Sequence, residues 1–287
     1  MRHRSSVTFA ATHGAGPVVV GVAAFLLGSP AALAEEAANV LTDPFYVALG
    51  GFVLDSDTNV RLDGEAGEQG TEINWENTFG GGDSTRFRID GHWRFADRHK
   101  LRFLWFNASR KKSRVLEETI DWGDVEYPVE ATLKSESSFD IYELAYEYAF
   151  LRRETYELTG SFGLHYTDLS LALSGEGSID GEPVEGGVRK EGSVGAPLPV
   201  IGVRGLWRLP HDFWIDASAQ FFALSIDEYD GNLTDFKVVA TWQPKKWLGI
   251  GLGYNQFAVD VDVDQDKFKG SLDWTYKGPM LTFSAVF

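Results

Sequence analysis

From residue 84 onward, apolar and polar side chains alternate one for one along most of the chain. In "TRFRIDGHWRFA" (85–96), Phe87, Ile89, Trp93 and Phe95 fall on one face, and Arg86, Arg88, Asp90, His92 and Arg94 on the other. "SFDIYELAYEYAFL" (138–151) sets Tyr142, Leu144, Tyr146, Tyr148 and Phe150 against Glu143 and Glu147. "ETYELTGSFGLHYTDL" (154–169) sets Tyr156, Leu158, Phe162, Leu164 and Tyr166 against Glu157, Thr159, Ser161 and His165. "FWIDASAQFFAL" (213–224) sets Phe213, Ile215, Ala217, Ala219 and Phe221 against Asp216, Ser218 and Gln220. Successive strand side chains point to opposite faces, so a repeat of two is the signature of strands with one apolar and one polar face. No helical repeat of comparable length competes with it.

The links between these segments alternate in size. "ADRHK" (96–100), "LRRET" (151–155), "LPHDF" (209–213) and "QPKKW" (243–247) are short; 61–83, 113–136, 174–194, 227–232 and 262–267 are longer or more polar. Antiparallel hairpins threaded through a membrane produce this rhythm, with tight turns on one side and long loops on the other. The pattern predicts ten strands, near 45–56, 84–96, 99–112, 136–150, 154–173, 195–209, 213–227, 232–243, 247–262 and 268–287. "GTEINWENTFGG" (70–81) is either part of the first long loop or an extra strand, which leaves eight and twelve open. Strands of ~10 residues suffice to cross a bilayer when tilted. In lipid only a closed barrel satisfies every backbone group. The predicted fold class is therefore all-β, an antiparallel up-and-down transmembrane β-barrel.

The first residues read differently. Arg2 and Arg4 precede the apolar run "GPVVVGVAAFLLG" (16–28), and "ALA" (32–34) stands before Glu35. This is the layout of an export signal with its cleavage site, dividing the chain into a signal peptide, 1–34, and a barrel, 35–287. The mature barrel would carry 24 basic and 42 acidic residues, or 24 − 42 = −18. That charge argues against a nucleic-acid partner, which needs a basic footprint. The absence of cysteine excludes disulfides and thiolate metal sites.

The chain ends in "GPMLTFSAVF" (278–287), where Leu281, Phe283, Ala285 and Phe287 are apolar at alternate positions up to the last residue. Signal, alternating strands and this terminal strand together resemble the β-barrel proteins of the Gram-negative outer membrane, small proteobacterial barrels among them. The resemblance covers residues 40–287. It implies export through the periplasm to the outer membrane, contact with outer-membrane lipid and lipopolysaccharide, and a terminal strand read by the barrel assembly machinery. A soluble β-sandwich or lipocalin-like barrel also alternates, but buries its apolar set. Aromatic apolar faces, Arg and Glu in mid-strand and the terminal Phe287 favour the membrane version. Trp93, Phe95, Tyr148, Phe150, Trp207, Trp242 and Trp247 lie beside the short turns, where a periplasmic aromatic girdle belongs.

With the apolar face in lipid, the polar face lines the lumen. The expected lining is Arg86, Arg88, Asp90, His92, Arg94, Arg102, Glu143, Glu147, Glu157, His165, Arg204, Arg208, Asp216, Asp235 and Lys237. Open aqueous channels belong to larger barrels of about 16 strands, so long charged side chains should fill this one. The leading expectation is a structural or limited-permeability envelope component. Passage of a small solute and an outer-membrane hydrolase are the alternatives. No catalytic motif supports an enzyme: Ser161 and His165 share a face but stand about 13 Å apart along a strand. Asp90 and His92, about 7 Å apart by the same rise, would need help from a neighbouring strand. No cofactor or resident metal is expected. "DVDVDQD" (260–266) begins like a calcium loop but lacks the Gly and Glu that complete one. It reads as a solvated acidic outer loop, with loosely held divalent cations as the alternative.

Overall fold

The computed structural model describes residues 38–64, 68–81, 84–226, 229–265 and 268–287; the predicted signal sequence lies outside them. Among the described residues, fifteen strands and one short helix follow in order. They are β1 (Phe45–Leu62), β2 (Ile73–Asn74), α1 (Trp75–Phe79), β3 (Ser84–Ala96), β4 (His99–Val115), β5 (Ile120–Trp122), β6 (Val125–Tyr127), β7 (Thr132–Arg152), β8 (Tyr156–Gly175), β9 (Ser178–Ile179), β10 (Glu182–Pro183), β11 (Val188–Arg208), β12 (Phe213–Ile226), β13 (Tyr229–Lys245), β14 (Leu248–Gln265) and β15 (Phe268–Val286).

Ten of these form the wall, in the order β15-β14-β13-β12-β11-β8-β7-β4-β3-β1, and β15 pairs back onto β1 to close it. Every neighbouring pair is antiparallel. At the seam Tyr46 faces Val286 and Leu62 faces Gly270, and Phe45 and Phe287 exchange both backbone hydrogen bonds, at 2.8 and 3.0 Å. The terminal aromatic is thus a structural part of the closure. The ten predicted strands correspond to the ten observed.

The short links are tighter than the sequence suggested. Between β3 and β4 only Asp97 and Arg98 form the turn, because the strands continue through Ala96 and His99. Lys100 is therefore a strand residue, and it points inward. The β11–β12 link places His211 and Asp212 at φ near +62°, the left-handed conformation a tight hairpin demands. The outer strands are longer than expected: β7 and β11 each run 21 residues, so the 174–194 loop shrinks to 176–187. Segment 70–81 is neither an open loop nor an added wall strand. It forms the two-residue β2, pairing with β1, and α1, capped by the Asn74 side chain accepting from Asn77 N at 2.9 Å.

Strand β7 displays the design of the whole wall. From Tyr142 to Phe150 its outward side chains are Tyr, Leu, Tyr, Tyr and Phe, all 40–55% exposed, while Glu143 and Glu147 point inward. Nine residues are about what a tilted strand needs to cross the hydrocarbon. Above Ile141 the polarity inverts: Lys134, Glu136, Ser138 and Asp140 face outward, while Leu133, Phe139 and Ile141 are buried. β8 inverts at the same level, with Asp168 exposed and Leu169, Leu171 and Leu173 buried. The cause is the change of outer solvent. Beside lipid, apolar groups face out and polar ones must satisfy each other inside; above it, water takes the outer face and the hydrophobic effect fills the interior.

The upper interior is accordingly a conventional apolar core. Phe106, Phe257 and Tyr276 stack with centroids 5.0–5.3 Å apart, and Phe139 stacks on Trp274. Over this layer sits a cap made from the outer links, a small sheet ordered β10-β9-β6-β5 with Trp75, Phe79, Trp122 and Tyr127 buried beneath it. A second apolar cluster closes the opposite mouth. Ala38, Val40 and Leu41 pack there with Tyr46, Ala48, Leu206, Trp214 and Val286 from β1, β11, β12 and β15. Those strand pairs stand well apart around the wall, so the segment preceding β1 crosses the mouth as a cork. Arg152 donates to Leu41 O at 2.8 Å and Lys246 pairs with Asp43 at 3.0 Å, which tie it to the rim.

Candidate functional site

Between cork and aromatic layer lies the charged lumen. Seven of the ten wall strands, β3, β4, β7, β8, β11, β12 and β13, contribute the inward positions that the sequence pattern marked, and Arg88, Asp90, His92, Arg94, Arg102, Glu143, Glu147, Glu157, His165, Arg204, Asp216, Asp235 and Lys237 are all buried. Lys100 joins them, with no exposed surface. The buried cations are Arg88, Arg94, Lys100, Arg102, Arg204 and Lys237; the buried anions are Asp90, Glu143, Glu147, Glu157, Asp216 and Asp235. Among the described residues the two sets cancel, although the chain as a whole carries −16. The acid excess therefore belongs to the outer surface and the loops. Enclosed charges are tolerated only when paired, and outward carboxylates above the belt meet water.

The pairs form one continuous chain. Arg94 grips Glu157 with two hydrogen bonds of 2.9 and 3.1 Å. Lys100 bridges Glu157 at 2.6 Å and Glu147 at 3.0 Å. Glu147 is shared with Arg204 at 3.4 Å and Arg102 at 3.5 Å. Arg204 holds Asp216 in a fork of 2.8 and 3.0 Å, a geometry that suits guanidinium and carboxylate. Lys237 lies 3.3 Å from both Asp216 and Asp90. Arg88 completes the run, 2.9 Å from Asp90 and 3.0 Å from Asn255, whose amide also donates to Asp235. Arg102 pairs with Glu143, which Gln220 also serves at 2.7 Å.

The two histidines are lumen residues. His92 turns Nδ1 toward Arg204 Nη1 at 3.5 Å and stacks on Tyr46. His165 Nδ1 meets Thr167 Oγ1 at 3.3 Å and stacks on Phe257. Asp90 and His92 point inward together but have different partners.

Two members of the predicted lining stand apart. Arg208 is half-buried near the mouth, 5.7 Å above the Trp214 ring. Arg86 points into the upper interior, above the network. The expectation of a uniformly polar lumen is thus corrected: the charged lining occupies the membrane level, and the level above it is apolar and aromatic. Lys100 was missed because its five-residue segment resembled a turn. Its place two positions before Arg102 in the same alternation was the available signal.

Outside the barrel, Asp260 faces Asp273 across β14 and β15, and Asp264 pairs with Lys269 at 3.2 Å; Asp266 lies outside the described residues. Among the described residues no three carboxylate or imidazole groups converge on a point able to hold a metal ion.

No family model and no curated protein matches the chain. Solved structures do. The outer membrane protease OmpT from Escherichia coli is similar at a TM-score of 0.56 and 12% identity, covering 88% of this chain and 99% of its own. The transport unit of the autotransporter AIDA-I from Escherichia coli is similar at 0.40 and 9% identity, covering 88% of this chain and 93% of its own. The Pseudomonas putida toluene transporter TodX is similar at 0.35 and 10% identity, with the same coverages. The OmpT likeness carries the fold and nothing more. What places the molecule is its own belt of exposed Phe, Leu, Trp and Tyr, nine residues tall on β7, wrapped around a wall without a free edge. Water cannot cover such a surface and acyl chains can, so the chain is an integral transmembrane β-barrel protein.

Proposed function

We propose that this barrel is a sealed structural component of the envelope rather than a conduit. The observation that carries the reading is the lumen itself. Its six buried cations pair with five of the six buried anions at membrane level and Asn255 holds the sixth, Asp235; the cork closes one end, and the aromatic layer and cap fill the other. A path for ions would have to break several of these pairs at once, and each break strands a buried charge at a cost of about 3–5 kcal/mol. OmpT is by name a protease, but a likeness at 12% identity carries no activity across. His165, enclosed at 1% exposure with Thr167 as its partner, is positioned to fill the lumen rather than to meet a substrate.

In the same reading Leu281, Phe283, Ala285 and Phe287 form the strand that the assembly machinery grips before the seam closes. Lipopolysaccharide then covers the upper rim of the belt, with divalent cations bridging its phosphates to the outward carboxylates. The test of the sealed lumen is conductance. Purified protein inserted into planar bilayers should give no stable current steps at ±100 mV, an applied voltage worth about 2.3 kcal/mol per charge. Reproducible ion-selective steps from wild-type protein would overturn the proposal.

A further inference from the structure

The lipid-facing wall is not uniformly bulky. On β8, β11 and β12 it carries an open, almost wholly apolar recess of about 380 Å³. The cross-strand register builds its floor. Gly205 lies opposite Leu158 and Ala217, and Val203 lies opposite Gly160 and Ala219, so two successive outward rows are dominated by small residues. The next row, Phe162–Ile201–Phe221, is wholly large and closes the recess at that level. Phe162 pairs with Tyr146, the middle of the Tyr142–Phe150 belt on β7. The recess therefore lies in the short-turn half of the belt, within one leaflet.

Two backbone features raise its side walls. The β7–β8 ladder shifts register between Ala149 and Leu151, and Phe150, at the shift, lines the recess with an exposed ring; a bulge of this kind re-aims a side chain. On β11, Gly205 lets the Trp207 ring lie along the strand, because a Cβ there would run into the indole. The result is a slot with aromatic sides and a floor of Gly and Ala.

At its short-turn end the slot meets charge. Trp207 pairs with Tyr156, and Arg208 N donates to Thr155 O at 2.6 Å, so the β7–β8 turn stands at that end. The turn holds Arg153 and Glu154, both exposed. Arg153 donates to the Arg152 carbonyl at 3.3 Å and pairs with no carboxylate among the described residues. The four residues from Leu158 back to Glu154 span about 13 Å along the strand, and one leaflet with its headgroups is about 20 Å thick. A single lipid therefore reaches from the turn into the slot.

We infer that the slot is a binding site for one phospholipid with a zwitterionic, amine-bearing headgroup. One acyl chain lies between Phe150 and Trp207, the phosphate meets Arg153 and the ammonium meets Glu154. A net-anionic headgroup would satisfy Arg153 but set its second charge against Glu154. Water finds too few polar partners in an apolar slot to fill it.

The test is native mass spectrometry of the purified barrel released from detergent micelles, after titration with dioleoyl phosphatidylethanolamine or dioleoyl phosphatidylglycerol. One lipid should be held ahead of the rest. The ethanolamine lipid should bind there about tenfold more tightly than the glycerol lipid, the scale of one hydrogen bond to a charged group. Later additions should show no such preference. Ala217→Phe fills the slot from a lipid-facing position and should abolish the tight addition; Arg153→Gln should weaken it. Mobility of unboiled samples on gels checks that both variants fold. Statistical uptake with no headgroup preference, a preference for the glycerol lipid, or tight uptake unchanged in either variant would overturn the assignment. So would a dimer of barrels in place of a lipid-bound monomer.

Discussion

Lys100→Met is the most informative single change to the lumen. The ammonium has no exposed surface and stands 2.6 Å from Glu157 and 3.0 Å from Glu147. Methionine keeps much of the chain volume and removes the charge, so the enclosed count goes from six against six to five against six. The damage is uneven. Glu157 retains both hydrogen bonds from Arg94. Glu147 retains only Arg204 at 3.4 Å and Arg102 at 3.5 Å, and those two are already engaged by Asp216 and Glu143. Stranding a buried charge in this way costs about 3–5 kcal/mol.

Removing Glu147 as well should restore much of that loss. In Lys100→Met/Glu147→Gln the count is five against five, and Arg94–Glu157, Arg204–Asp216 and Arg102–Glu143 survive. A buried pair replaced as a pair is often close to neutral, so a coupling of about 2–3 kcal/mol is expected between the two sites. The assay is reversible urea unfolding in lipid vesicles, followed by tryptophan fluorescence, with unchanged m-values as the check on a common unfolded state. A Lys100→Met barrel within about 0.5 kcal/mol of wild type, or a double variant weaker than the single, would show that water reaches these groups and that the lumen is not sealed.

Leu41→Ala should lower stability by about 2–4 kcal/mol, as for other buried leucines, since Leu41 is 1% exposed at the centre of the cork; the same urea assay checks it, together with faster proteolysis near residue 41. Tyr127 tests the cap. Burial pushes its hydroxyl up to about 12, whereas an unfolded tyrosine ionises near pH 10. Its contribution is therefore complete below pH 10 and fades as pH rises from about 10 to 12. Tyr127→Phe should flatten that decline in unfolding curves and cost about 1 kcal/mol at neutral pH through loss of the 3.0 Å bond to Leu173 O. Deleting Phe287 removes both backbone bonds to Phe45 at the seam. It should reduce the fraction of protein that reaches the outer membrane as a heat-modifiable band on gels, and an undiminished fraction would remove the terminal residue from the closure.

Within the membrane the sequence spoke for itself, because lipid imposes one rule on every strand. Tyr142 to Phe150 outward and Glu143 and Glu147 inward follow from a repeat of two and from the need to hide charge from acyl chains. The same rule located His92, Arg204, Asp216 and Lys237 without coordinates. Lys100 escaped because a charged residue near a turn and one at the end of a lumen row look alike in sequence. Asn74 to Phe79 escaped because a five-residue helix is too short to show a period, although an asparagine cap was present.

The sequence alone pointed to the wall: ten strands with eight and twelve left open, their sidedness in lipid and most of the residues that face the lumen, since each follows from local alternation against a uniform solvent. Only the tertiary structure decided what fills the wall. Alternation records which side chains share a face, not which medium that face meets, so the same repeat serves both above and below Ile141 while its meaning reverses. The pairing of Lys100 with two glutamates from neighbouring strands, the crossing of the mouth by Leu41 and the stacking of Phe139 on Trp274 join residues distant in the chain. Closure of the barrel brings them together, and no local pattern encodes that.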